Sequence, residues 1–145
     1  YYNFNKAEVM AQLNSVIEKL PSGLDTSVME KGVSLSGGEK QRLALARGLL
    51  AADKSDIILM DEPTSSVDSL NEMKIHENIF KEFKDKTIIS SIHRLHLLDK
   101  FDYIYLFSRG KIVGQGTLNE IKKNPLFENI WRKYHKEKTL GEHSK

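Results

Sequence analysis

"IILMDEPTSSVD", residues 57–68, sets four apolar residues directly before an aspartate, a glutamate and a proline. A short continuous apolar run of this kind reads as a central strand of an α/β sheet, here over 56–61. Asp61 and Glu62 then fall at the mouth of that strand, where open α/β sheets bind ligands. Successive strand side chains point to opposite faces, so the two carboxylates can serve different tasks. One can hold Mg²⁺, mostly through water, because a hard cation takes oxygen ligands. The other can orient or deprotonate a water that attacks a terminal phosphoryl group. The plainer alternative is a strand that leaves the core and ends in two surface acids.

Upstream, "LSGGEKQRLALARG" at 35–48 puts two adjacent glycines before an apolar, helix-forming run. Glycines let a backbone come close to something, and the helix behind them points its free N–H groups at the same place. An anion is the physical answer. Ser36 and Glu39 also form a capping-box pattern, which would spend the serine hydroxyl on its own helix. The two readings describe different states, one without and one with a phosphate present. From Glu39 to Ala52 the run is apolar on nearly every side except Lys40 to Arg42 and Arg47, which predicts a mostly buried helix.

Downstream, "KTIISSI" at 86–92 is β-branched and strand-like, and His93 follows it directly. Strand ends on one side of a parallel sheet converge, so His93 could reach the ligand that Glu62 reaches; a lone histidine here is also compatible with a structural role. The remaining elements follow from local patterns. Val9, Leu13, Val16 and Leu20 predict one amphipathic helix over 5–20, with Asn5 and Glu8 at its start. Ser69 with Glu72 reads as a capping box opening a helix to about Phe83, whose core face is Ile75, Ile79 and Phe83. "DYIYLF" and "KIVGQG" flank Arg109-Gly110 as a hairpin. Thr117 with Glu120 caps another helix, and Phe127, Ile130, Trp131 and Tyr134 stripe a last one. The order α-β-α-β, then hairpin and helices, is the later half of an α/β domain.

Composition narrows the function classes. The 145 residues amount to about one domain, and 22 basic against 20 acidic residues leave a net charge of +2. That is too weak a bias to make nucleic acid the main partner. There is no cysteine, hence no disulfide and no thiolate metal site. The longest unbroken apolar runs, such as "YIYLF" at 103–107, are far short of the roughly 20 residues of a membrane helix, so the chain by itself is expected to be soluble. His76, His96, His135 and His143 show no metal-ligand spacing. The tail of Arg132, Lys133, Lys136 and Lys138 reads as a solvated face. No signal peptide is visible and the chain opens on Tyr1, so the expectation is a part of something longer.

Taken in order and at these separations, "LSGGEKQR", "IILMDEPTSSVD" and "SIHRL" resemble the nucleotide-binding domain of ATP-binding-cassette (ABC) transporters over about residues 20–135. The resemblance implies the C-terminal part of a three-layer P-loop NTPase fold, a mostly parallel sheet with flanking helices. It implies that residues 1–52 are the end of the helical subdomain with the signature loop and its helix. Residues 53–145 would then be the rest of the core. Ser36, Gly37 and Gly38 resemble the signature residues that meet the γ-phosphate of ATP bound mainly by a second subunit. Asp61 corresponds to the magnesium-site aspartate, Glu62 to the general base, Asp68 to the D-loop aspartate that communicates across the dimer, and His93 to the switch histidine. Glu39 stands where the family often has glutamine.

A phosphate loop of the form G-x-x-x-x-G-K-[ST] is not found among the nine glycines. The expectation is therefore that this polypeptide alone neither binds ATP tightly nor hydrolyses it. The sheet should also expose apolar surface or an unpaired edge. Thr26, Val28, Glu30 and Gly32 are similar to the exporter segment that precedes the signature, with Met29 in place of its usual glycine. The implied protein is an exporter ATPase working with ATP and Mg²⁺ at the cytoplasmic face of a membrane. Its partners would be a second nucleotide-binding domain and the transmembrane domains, with no nucleic acid. Two alternatives belong to other classes: half of a DNA-associated ATPase of the chromosome-maintenance or break-repair type, and a non-catalytic dimerisation module.

Overall fold

A computed structural model describes residues 2–28 and 34–142, with side chains described for 4–28 and 34–136. Met29, Glu30 and Gly32 of the exporter-like segment lie outside the described residues, as do His143 and the side chain of Lys138. The chain divides into two compact units, Tyr1–Ser91 and Ile92–Lys145.

The first unit runs α1 (Tyr2–Met10), α2 (Asn14–Ile17), α3 (Gly37–Ala52), β1 (Ile57–Asp61), α4 (Ser69–Glu82) and β2 (Thr87–Ser91). β1 and β2 pair in parallel, in register from Ile57 opposite Thr87 to Asp61 opposite Ser91. Their helices pack on one face, where Ile58 and Met60 join a core with Leu49, Ile75, Ile79 and Phe83. The other face is apolar and uncovered. Ile57 is 57% exposed, Leu59 75% and Ile89 55%. The expected apolar surface is therefore present, whereas the two-sided burial of a central strand is not: within this unit β1 alternates exposed and buried.

Three local readings are corrected. The single helix expected over 5–20 breaks at Ala11–Leu13. Gln12 adopts φ +55°. Its N–H bonds the Val9 carbonyl at 3.1 Å and the Leu13 N–H bonds the Glu8 carbonyl at 3.0 Å, the two bonds of a Schellman stop. Val9 is consequently exposed while Leu13 and Val16 stay in the core, and Asn5 lies inside α1 instead of capping it. α3 starts two residues early, at Gly37, and buries only Ala46, Leu49 and Ala52. It packs by one stripe instead of nearly all round. Finally, Asp68 and not Ser69 caps α4, accepting the Asn71 N–H at 3.0 Å. Glu72 turns inward instead, buried, and accepts a 2.7 Å bond from the Thr64 hydroxyl.

Lys86 fastens the far end of α3. Its ammonium donates to the carbonyls of Ala52, Asp53 and Ser55 at 2.8, 2.7 and 2.6 Å. A cation on the last carbonyls of a helix meets the negative end of its dipole, so the α3–β1 turn is tied to the start of β2.

The second unit holds a 3-10 stretch at Leu95–Lys100, then β3 (Ile104–Ser108), β4 (Lys111–Gly116), α5 (Leu118–Ile121) and α6 (Pro125–Glu142). β3 and β4 form the expected antiparallel hairpin. Arg109 and Gly110 both have positive φ, +48° and +75°, as a two-residue type I′ connection requires. Thr117 and Glu120 form the expected capping box. Leu98, Ile104, Ile121 and Phe127 make the core, with Trp131 packed against it. The stripe on α6 is narrower than read, because Ile130 is exposed. Among the described residues no helix is long and apolar enough to cross a membrane.

Candidate functional site

Asp61 ends β1 and is exposed. Its register partner, Ser91, donates its hydroxyl to Asp61 Oδ1 at 2.5 Å. The same hydroxyl oxygen accepts the Glu62 N–H at 3.0 Å, and the Ser91 carbonyl lies 3.3 Å from that N–H. One serine thus links the carboxylate of Asp61 to the backbone of Glu62. At Glu62 the chain leaves the ladder with φ +44°, a left-handed conformation that is uncommon for a residue with a side chain.

The Glu62 carbonyl is held from another direction. Gln41, on the first turns of α3, donates Nε2 to that oxygen at 3.0 Å and to Ser65 Oγ at 3.0 Å. Its Oε1 accepts the Ser66 N–H at 2.8 Å. The turn also closes on itself through Ser65 N–H to Glu62 carbonyl and Val67 N–H to Thr64 carbonyl, at 3.2 and 3.0 Å. Thr64 and Val67 are buried beneath it.

The paired glycines now separate in role. A Cβ at Gly38 would stand 2.6 Å from the Ser66 carbonyl oxygen, whereas one at Gly37 would meet nothing within 4 Å. The bare backbone at 38 is needed by the chain's own 62–68 corner; only Gly37 faces open space. Beside it, Ser36 and Glu39 form the capping box, with Ser36 N–H to Glu39 Oε2 at 2.8 Å and Glu39 N–H to Ser36 Oγ at 3.2 Å. The Ser36 backbone N–H, and after it the Ser36 hydroxyl, hold the Glu39 carboxyl below its usual range. Gly37 and Gly38 carry first-turn N–H groups, which have no acceptor within the helix. Likewise the Asn71 side-chain amide and backbone N–H hold the Asp68 carboxyl low.

The first unit therefore gathers Gly38, Asp61 and Glu62 around one corner, with Ser36 and Gly37 one step along α3 and Asp68 at the cap of α4. His93 is exposed and opens the second unit, two residues beyond β2. Sequence reasoning missed Gln41, Ser66 and Ser91 as parts of this corner. Gln41 is a polar side chain on a largely apolar helix, and Ser91 a hydroxyl at the end of an apolar strand. Those were the only signals available.

Among the described residues no group of three or more histidines, cysteines or carboxylates is placed to cage a metal. A single exposed carboxylate, hydrogen-bonded on one oxygen, is the donor set of a cation that keeps its waters and shares phosphate oxygens. That fits Mg²⁺.

The profile of the ABC transporter family matches residues 3–65. An export ATP-binding/permease protein of Rickettsia typhi is 39% identical over 132 residues, 90% of this chain and 23% of that protein. The ATP-dependent lipid A-core flippase of Wigglesworthia glossinidia brevipalpis is 39% identical over 132 residues, 90% of this chain and 22% of that one. The solved structure of a bacterial Atm1-family ABC exporter with ATP bound superposes with a TM-score of 0.79 at 34% identity. It covers 91% of this chain and 23% of its own. The chain is similar to the ABC transporter family and has the fold of that family's P-loop nucleotide-binding domain. Within the family its similarity is to the ATP-binding parts of exporters, of whose length it spans less than a quarter.

Proposed function

We propose that this chain is the C-terminal part of the ATP-hydrolysing domain of an ABC exporter, and that the Asp61–Glu62 corner is its reaction centre. The observation that supports this most directly is the shared Ser91 hydroxyl, which keeps one carboxylate at the strand end and fixes the backbone of the next. Bound Mg-ATP supplies the terminal phosphoryl group and a cation to neutralise its charge. Asp61 would hold that cation, and Glu62 would orient the attacking water and take its proton. His93, assigned from its motif, would hold an oxygen of the phosphoryl group. Ser36 and Gly37, with the first-turn N–H groups of α3, would meet the phosphate of nucleotide bound mainly by a second domain. Asp68 lies on the same dimer-facing turn in this reading.

The work done would be transport. Closure of two such domains on ATP, then reopening on hydrolysis, would drive transmembrane domains from the cytoplasmic face of the membrane. The isolated chain is expected to hydrolyse no ATP. In the intact protein, Glu62→Gln should lower turnover by about 10²–10⁴-fold and trap the ATP-bound dimer. Turnover at the parental rate in that variant removes Glu62 from the role of base.

A further inference from the structure

We propose that Gln41 is a positioning residue for hydrolysis, coupling the signature end of α3 to the Glu62 peptide and the 65–66 turn. The inference rests on the reading of Glu62 as the base.

The Gln41 side chain spends all three of its bonds on one corner: two donated, to Glu62 and Ser65, and one accepted, from Ser66. None serves α3 itself. Glu62 is thereby held at its carbonyl by Gln41 and at its N–H by Ser91, in a conformation that is costly for a residue with a side chain. With both neighbouring peptides fixed, the direction in which the Glu62 side chain leaves the backbone is fixed too. Three residues before Gln41, Gly38 approaches the Ser66 carbonyl with no room for a methyl group. A turn of α3 and the corner are thus joined by three hydrogen bonds and one backbone contact. α3 cannot shift at its signature end without breaking those bonds or carrying Glu62 with it. A phosphate engaged at Ser36 and Gly37 would therefore bias the placement of the Glu62 carboxylate in the same chain, although it touches neither Gln41 nor Glu62.

The test is steady-state and single-turnover ATP hydrolysis by the intact protein carrying Gln41→Ala or Gln41→Glu, each alone and combined with Glu62→Gln. Gln41→Glu keeps the shape and the acceptor for Ser66 but removes both donated bonds, and it serves if the alanine variant folds poorly. The expected result is a fall in kcat of about ten- to hundredfold, the scale of a misplaced reacting group. KM for ATP should stay within about twofold, and the residual rate of Glu62→Gln should not fall further. A purely structural role would reduce the residual rate by the same factor in both backgrounds. That result, or kcat within about twofold of the parent in both variants, overturns the proposal. A Glu62→Gln protein with the parental rate overturns the base assignment itself and this proposal with it, before the Gln41 variants are compared.

Discussion

Glu62 and Arg109 share an uncommon backbone conformation, φ +44° and +48°, yet they are held there by different means. Arg109 sits in a two-residue hairpin turn, followed by Gly110 at φ +75°, and the flanking strand pairing from Ser108 opposite Lys111 enforces the geometry. Everything needed lies within four residues. Glu62 receives one local bond, from the Ser65 N–H to its carbonyl at 3.2 Å, but it is also held from far away in the chain. Its conformation depends on Gln41, 21 positions before it, and on Ser91, 29 positions after it. Left-handed residues held by local turn chemistry are connectors, whereas those held by distant side chains mark places where the fold aims something.

The comparison can be broken most forcefully at Gly38. Gly38→Ala sets a methyl group 2.6 Å from a backbone oxygen that cannot rotate away. It should cost about 1–3 kcal/mol, as overpacking does, seen as a lower thermal unfolding midpoint and faster amide exchange at 65–67. Gly37→Ala, with open space around it, should leave stability unchanged or raise it by less than the ~1 kcal/mol that alanine gains over glycine in a helix interior, because residue 37 is the first of α3. Equal losses in the two variants would mean that α3 and the corner are not in the contact described.

A smaller effect sharpens the other half of the comparison. Arg109→Asn supplies the residue that type I′ turns favour before glycine, and should stabilise by about 0.5 kcal/mol, read as a higher unfolding midpoint. Because the turn is local, hydrolysis in the intact protein should be untouched.

The smallest effect concerns the helix caps. Glu39, held low by Ser36, and Asp68, held low by Asn71, have folded-state values depressed below the ordinary 4.5 and 3.8. Depressed carboxyls contribute stability above those ordinary values and lose it as pH falls through the lower folded ones. Acid titration followed by circular dichroism should therefore show the parent losing stability in that window. Glu39→Gln should lose less, because glutamine keeps the acceptor and does not titrate.

Most of the second unit was legible in advance, since hairpin, capping box and core stripe are written within a few residues of one another. The Ser36–Glu39 box and the core face Ile75, Ile79 and Phe83 were legible for the same reason. The misreadings share a cause as well. Ser69 and Glu72 have the spacing of a cap, but the buried Thr64 hydroxyl offers Glu72 a partner that spacing cannot reveal. Val9 and Leu13 fit one helix until the left-handed Gln12, its carbonyl taken by Arg42 at 2.6 Å, turns the chain.

Read by itself, the order of residues pointed to the family and determined the strand with two carboxylates at its mouth, the glycine edge before α3 and the caps at Ser36 and Thr117. These are properties of periodicity and close spacing, which survive without a third dimension. Tertiary structure alone decided which glycine needs to be bare and how the Glu62 peptide is held. Each depends on groups brought together from positions 21 or more apart, where a hydrogen bond or a 2.6 Å approach is set by packing and leaves no trace in the local pattern.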